Sequence, residues 1–147
     1  MVQEQKELWK RGMELKAVTK LLINKYHIDK LGYDFLGYAL QKGDIYTFHH
    51  LIIPARRGGK EVEWNGAVLC GKTSHPYLHV VERYDNEMFY LITSEIIDMK
   101  NKGFLDFYNL NNINEMLGDF EERYDGFITK KGHRIIKPEY KRRILRK

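Results

Sequence analysis

The apolar positions of the first 43 residues predict two helices. Those of the first helix fall on one face and are Leu8, Leu15, Val18 and Leu22. Those of a second, shorter helix are Leu31, Phe35 and Tyr38, and Gly43 is placed to end it. The two helices, joined near His27, could mimic a helix-turn-helix, but adjacent amphipathic helices are common in small domains. We therefore expect an N-terminal helical segment over residues 1–43 that packs against the rest of the chain.

From Asp44 the pattern changes to a strand, a loop, a second strand and a helix. The first strand is a dense run of β-favouring residues that ends at Pro54. A glycine-containing basic loop, Ala55 to Lys60, leads to a second short strand, Gly66 to Leu69, which could pair back on the first. The helix that follows is expected to begin near Ser74, a good N-cap residue, with Pro76 in its first turn.

Two further helices are predicted beyond Tyr84. Asp85 is placed to cap the first of them, which carries Lys100 and Lys102 in its last turn and stops at Gly103. The second has its apolar face at Leu110, Ile113, Met116, Leu117 and Phe120. We find no internal repeat and no low-complexity linker, so we expect a single, mainly helical α+β domain. Its parts are residues 1–43, the strand-loop-strand-helix unit 44–84, the helices of 85–128 and a C-terminal arm, 129–147.

The positive charge of the chain is concentrated in this arm. The net charge is +5, yet residues 129–147 hold nine Lys or Arg against one acidic residue. The preceding residues hold 16 basic and 19 acidic side chains and are therefore slightly acidic. A basic arm on such a body is a common arrangement for contact with phosphates. The alternative is a solvated tail that only aids solubility.

Several protein classes are disfavoured by the sequence. No apolar run approaches the length of a membrane span, and the first residues, MVQEQKELWKR, do not form a signal peptide. We therefore expect a cytoplasmic protein with no membrane partner. The single cysteine, Cys70, excludes an internal disulfide and a cysteine knuckle for zinc. Any metal must be bound by histidines and carboxylates.

Four of the six histidines fall between His49 and His79. His75 and His79 are four residues apart on a predicted helix, so both imidazoles can bind one metal ion. His49 and His50 are adjacent on a predicted strand and point to opposite sides. One of the two can complete the metal site, and the other stays free for chemistry. A cluster of core histidines without metal is the alternative, which is costly because buried imidazoles would lack partners.

Polar residues near this cluster have both structural and functional interpretations. Strand pairing would bring Asn65 near the histidine pair, where its carbonyl could accept the Nδ1 proton of His50 and fix the tautomer. Asn65 is also a good turn residue before Gly66. The side chains of Arg56, Arg57 and Lys60 are candidate phosphate ligands, or else solvated loop charges.

Taken together, the 32 residues FHHLIIPARRGGKEVEWNGAVLCGKTSHPYLH closely resemble the HNH endonuclease family of the ββα-metal (His-Me finger) superfamily. The shared features are the His-His pair followed by Pro, the Gly-Gly loop, the Asn before a small strand ending in Leu-Cys, and the HxxxH helix. The resemblance implies a β-hairpin plus a helix around one metal, in this case embedded in a mainly helical domain.

The resemblance also implies roles for individual residues. His50 corresponds to the general base and Asn65 to the residue that orients it. His49 and His75 correspond to the ligands of one divalent metal, and His79 matches a further ligand of the colicin-type nucleases. The implied activity is hydrolysis of phosphodiester bonds in nucleic acid, with DNA expected rather than RNA.

The identity of the metal stays open. Many family members have Asp at the position of His49, and many add cysteine knuckles that this chain lacks. Three imidazoles suit zinc, nickel or manganese better than magnesium. The alternative function is a zinc-stabilised module of the same fold that binds nucleic acid and does not cut. A closed structural zinc takes four protein ligands, however, whereas three are predicted here.

Overall fold

The structure is a computed structural model that describes residues 16–130, with side chains described through residue 124. Its elements in chain order are α1 (Ala17–Lys25), α2 (Ile28–Leu31), β1 (Tyr46–His50), β2 (Gly66–Cys70), α3 (Ser74–Tyr84), α4 (Asn86–Lys102) and α5 (Phe107–Lys130). The fold is α+β, as predicted, with an antiparallel hairpin followed by helices. Leu8, Leu15 and positions 131–147 of the basic arm lie outside the described residues. Among the described helices, none is both long enough and apolar enough to cross a membrane.

The two strands pair in a register that places His49 opposite Ala67 and His50 opposite Gly66. β2 is buried along its whole length, which agrees with the short apolar strand that the sequence predicts. β1 is shorter than predicted and ends at His50. It ends there because the amides of Ile52 and Ile53 both donate to the side chain of Asn65 and leave the strand ladder.

The predicted second helix is wrong beyond Leu31. α2 ends where Gly32 adopts a left-handed conformation, with φ of 83°. The carboxylate of Asp34 then accepts from the amides of Leu36 and Tyr38, so the chain turns back and does not form helical hydrogen bonds. The apolar residues Phe35 and Tyr38 are buried, as core residues should be, but they lie in this turn.

The turn at Asp34 is attached to the edge of β2 that β1 leaves free. Oδ2 of Asp34 accepts from the amide of Cys70 at 3.0 Å, and the amide of Phe35 donates to the carbonyl of Val68 at 3.3 Å. Asp34 is fully buried. Burial raises the pKa of its carboxyl, and the backbone amides that donate to it oppose that rise.

The three C-terminal helices of the structure confirm the three helices that the sequence predicts after β2. Asp85 caps α4 by accepting from the amide of Met88, and Gly103 ends this helix with φ of 87°. The other carboxylate oxygen of Asp85 lies 3.1 Å from Arg123 of α5. α3 departs from the prediction in one detail, because Ser74 is its first helical residue and does not cap it. α5 continues to Lys130, two residues into the predicted arm.

One hydrophobic core joins α1, the hairpin and the three C-terminal helices. α3 packs on β2 and on α4, and α4 packs on α5. The helix that carries His75 and His79 is therefore supported from both sides. The face of β1 that carries His49 lies against it.

We expect Asp34→Asn to lower the free energy of unfolding by about 2 kcal/mol, because its amide nitrogen would face the amide of Cys70, donor against donor. Asp34→Ala should cost more, since it leaves three buried amides without their acceptor. Urea unfolding followed by circular dichroism measures both. The control is Asp44→Asn in an exposed turn, where the new amide oxygen can still accept from Gln41. Equal stability of Asp34→Asn and the parent would contradict the role given to this carboxylate.

Candidate metal centre

Three imidazoles converge between β1 and α3. The ring of His49 lies 5.2 Å from that of His75 and 5.6 Å from that of His79, measured between centroids. His75 and His79 are one helical turn apart, and their rings stack with centroids 5.0 Å apart. One nitrogen of each residue can be chosen so that all three lie within 4.8 Å of one another. These residues, which we call the histidine cluster, are therefore close enough to hold one metal ion.

The surroundings of His49 fit a metal ligand. His49 is buried, and neither of its ring nitrogens has a hydrogen-bond partner among the described residues. A buried polar atom without a partner is costly, and coordination of a metal would satisfy one of the two nitrogens. This orphaned imidazole is the observation that favours a metal over a plain core histidine.

The electrostatics of the cluster also suit a metal. Burial, with a further contribution from the neighbouring imidazoles, lowers the pKa of His49 to about 3. The same causes lower the pKa of His75 to about 4. Both rings are therefore neutral near pH 7. A neutral imidazole is the form that binds a metal, so protons compete little for these two ligands.

Two residues that the sequence analysis did not single out hold the other histidines in place. The hydroxyl of Thr47 donates its only proton to the carbonyl of Leu69 and lies 2.8 Å from Nδ1 of His75. The hydroxyl oxygen must therefore accept from Nδ1–H of His75, so the lone pair of this imidazole lies on Nε2, where it can bind a metal. Glu82 lies 3.2 Å from Nδ1 of His79 and can fix that ring in the same way. Strand and helix spacing could have identified both residues, two before His49 and three after His79.

His50 and Arg56 reach the histidine cluster through a shared cavity of about 300 Å³, which we call the histidine cavity. His50 is half-buried there, and its ring contacts Phe48 edge-on at 5.0 Å. No described residue hydrogen-bonds its imidazole. Of the three predicted phosphate ligands, Arg56 lines this cavity. Arg57 and Lys60 are exposed on the same loop but do not line it.

The side chain of Asn65 does not hydrogen-bond to His50, contrary to the expectation from sequence. Its Oδ1 accepts from the amides of Ile52 and Ile53, and its Nδ2 donates to the carbonyls of Ile53 and Lys60. These four bonds use the full capacity of the side-chain amide, so none is left for an imidazole. Asn65 instead holds both ends of the loop that follows His50.

The loop is compact because Gly59 approaches its own start. The amide of Gly59 donates to the carbonyl of Pro54. A Cβ at this position would lie 1.8 Å from the carbonyl oxygen of Ile53, so no other residue fits without a backbone shift. The close approach keeps Arg56 at the rim of the histidine cavity.

We expect the purified protein to bind one divalent transition metal per chain through the histidine cluster. Loss of a residue that only hydrogen-bonds a metal-binding histidine typically weakens metal binding by ~10- to 100-fold. His75→Ala removes a metal-binding histidine itself and should therefore weaken metal binding by more than that. Elemental analysis and calorimetric titration measure this, and metal at 100 times Kd should stabilise the parent by about 2.7 kcal/mol. The matched control is His27→Asn, because His27 is exposed and adopts a left-handed conformation that Asn tolerates. Undiminished metal content in His75→Ala would refute this ligand set.

We expect Thr47→Val to lower metal affinity by roughly 10- to 100-fold while the fold is retained, because His75 would lose the acceptor that fixes its tautomer. Thr47→Ser keeps the hydroxyl and should restore most of the affinity. Thr93→Val is the control, since the buried hydroxyl of Thr93 has no partner among the described residues. Calorimetric titration with zinc compares the variants. Parental affinity in Thr47→Val would remove Thr47 from the site.

Comparisons of the chain with protein-family models, with curated proteins and with solved structures found no match. The case for a function therefore depends on the residues themselves.

Proposed function

We propose that this protein is a metal-dependent endonuclease of the HNH type, with nucleic acid as its substrate and DNA expected rather than RNA. The observation that carries the proposal is the position of His50. It lines the same cavity as the histidine cluster but does not belong to it. A site with three convergent ligands and one separate base has the parts needed for hydrolysis. The hairpin followed by α3 is compatible with the ββα arrangement that the sequence resemblance implies.

His49, His75 and His79 would hold a single divalent ion, which we expect to be zinc, manganese or nickel before magnesium. When bound, such an ion supplies charge neutralisation at the phosphate and at the leaving oxygen. The protein keeps one side of the cluster open, since the side chain of His79 is 53% exposed. Substrate can therefore approach the cluster from the histidine cavity.

His50 would act as the general base. Because no described residue hydrogen-bonds its ring, a nitrogen of the neutral imidazole is available to take a proton from a water molecule. The resulting hydroxide would attack the phosphorus, and the bond to the leaving oxygen would break. The position of His50 in the cavity supports this assignment, because its imidazole donates no hydrogen bond to Asn65. Asn65 contributes indirectly by holding the loop that begins after β1.

Arg56 would bind the phosphate. Arg56 belongs to the cavity lining, and two N–H groups of a guanidinium can meet two phosphate oxygens. Arg57 and Lys60 lie on the same exposed loop and would contact flanking phosphates. Glu82 also lines the cavity, but its negative charge is directed to His79. The basic arm would add affinity without contributing to chemistry.

The non-cleaving zinc module is the less favoured candidate. A closed structural zinc has four protein ligands, whereas the described residues offer a group of three. A structural site also has no use for a fourth histidine beside an open cavity. Cleavage is therefore the function we put to the test.

We expect His50→Ala to fold, to keep its metal and to bind DNA, but to cleave roughly 100- to 10,000-fold more slowly, because it lacks the base. A plasmid relaxation assay with added zinc, manganese, nickel or magnesium measures the rate, and a labelled RNA tests the other substrate. Excess metal should not restore the activity.

His50→Gln serves as the matched control for size and polarity, and it should be as slow as His50→Ala because an amide is not a base at neutral pH. Near-parental cleavage by either variant with intact metal content would refute the mechanism while leaving the metal site standing.

A further inference from the structure

A second cavity is lined in part by the segment that joins the two strands. Its volume is about 460 Å³, within the ~300 to 1,000 Å³ typical of ligand pockets. Trp64 and Tyr26 line it, together with Ile52, Ile97 and the lysines Lys25 and Lys100. None of these residues lines the histidine cavity. We call it the tryptophan cavity.

Trp64 is exposed although the backbone that carries it is held rigidly. Trp64 is 55% exposed, and Ile52, which lines the same cavity, is 53% exposed. The ammonium of Lys100 donates to the carbonyls of Glu63 and Gly66, on either side of the tryptophan. An exposed indole on a hydrogen-bonded backbone is a preorganised surface for stacking, so little conformational entropy is lost on binding.

The cavity carries a positive charge that the protein does not neutralise by direct contact. Lys25 is paired with Glu63, which also lines the cavity, so these two charges offset each other. Lys100 forms no ion pair among the described residues, and its contacts are with backbone carbonyls. Burial lowers the pKa of Lys100 to about 8, which leaves it mostly charged at neutral pH. An aromatic surface beside a partly desolvated cation suits a planar ring that carries a phosphate.

We propose that the tryptophan cavity binds one nucleotide of a single-stranded stretch of nucleic acid, with its base stacked on Trp64 and its phosphate near Lys100. A base inside a duplex has neighbours on both faces, so such a base can stack on the indole only after it is unpaired and unstacked. This inference extends the proposed function by naming an unpaired stretch as part of the substrate. Ile52 and His50 are two residues apart, so the strand would run from the cleavage site over the intervening segment.

The test uses the fluorescence of Trp64 in metal-loaded protein. The chain has two tryptophans, so Trp9→Phe leaves Trp64 as the only one. His50→Ala is added to slow cleavage. A short single-stranded oligodeoxynucleotide should quench this fluorescence, and the same sequence within a relaxed, covalently closed circular duplex, which has no exposed end base pairs, should not. Deoxyadenosine monophosphate is titrated as a third probe.

Affinities are then compared by fluorescence anisotropy of the labelled oligonucleotide. Trp64→Ala should weaken single-strand binding by roughly 5- to 150-fold and leave duplex binding and metal content unchanged. Trp64→Phe should retain most of the affinity, because a phenyl ring can still stack. Tyr108→Ala, which removes an aromatic ring that is 67% exposed and lines neither cavity, should change nothing.

An unquenched Trp64 with unchanged single-strand affinity in Trp64→Ala would overturn the proposal. So would quenching by the free monophosphate alone, because the cavity would then bind a small nucleotide and no strand. Plasmid cleavage by the parent reports separately on the proposed function. Cleavage without quenching overturns the tryptophan cavity only, and quenching without cleavage overturns the nuclease only.

Discussion

The backbone of β2 is buried along its whole length, so each of its N–H and C=O groups needs a partner inside the protein. β1 pairs with one edge. On the other edge the turn at Asp34 bonds to the amide of Cys70 and the carbonyl of Val68, and Lys100 bonds to the carbonyl of Gly66. A hairpin of two short strands is only marginally stable by itself. With partners on both edges of β2 and α3 packed on it, the hairpin becomes a fixed support for the histidines. The geometry of the candidate site therefore depends on a carboxylate at the far edge of the sheet.

The histidine cluster is a place where the fold gives up stability. A hydrophobic side chain at position 49 would fit a buried strand, whereas both ring nitrogens of His49 lack a partner among the residues that the structure describes. The protein surrounds this unfavourable residue with supporting interactions. Thr47 orients His75, Glu82 contacts His79, and α3 is supported from β2 and α4. Locally unfavourable residues inside an otherwise consistent fold are typical of functional sites.

The sequence predicted those parts that depend on periodicity and on end signals. The cap at Asp85, the stop at Gly103, the second strand and the pairing of His75 with His79 follow from spacing along one element. His49 was expected as the third ligand because of the family resemblance. What it did not predict depends on contacts between distant segments. The turn at Asp34 replaces a helix because its carboxylate accepts from nearby amides and from β2. Asn65 serves the loop because the loop folds back on itself at Gly59, which no local pattern indicates.

The ligands of the histidine cluster lie on two elements, with the segment 50–74 between them. A metal ion held by all three would close this segment into a loop, as a covalent cross-link does. The loop contains the basic turn, Asn65 and all of β2. A bound ion would therefore restrict the unfolded chain most in a segment that contributes lining residues to both cavities. Metal loading would then govern how often this region opens, and hence how readily a protease could cut it.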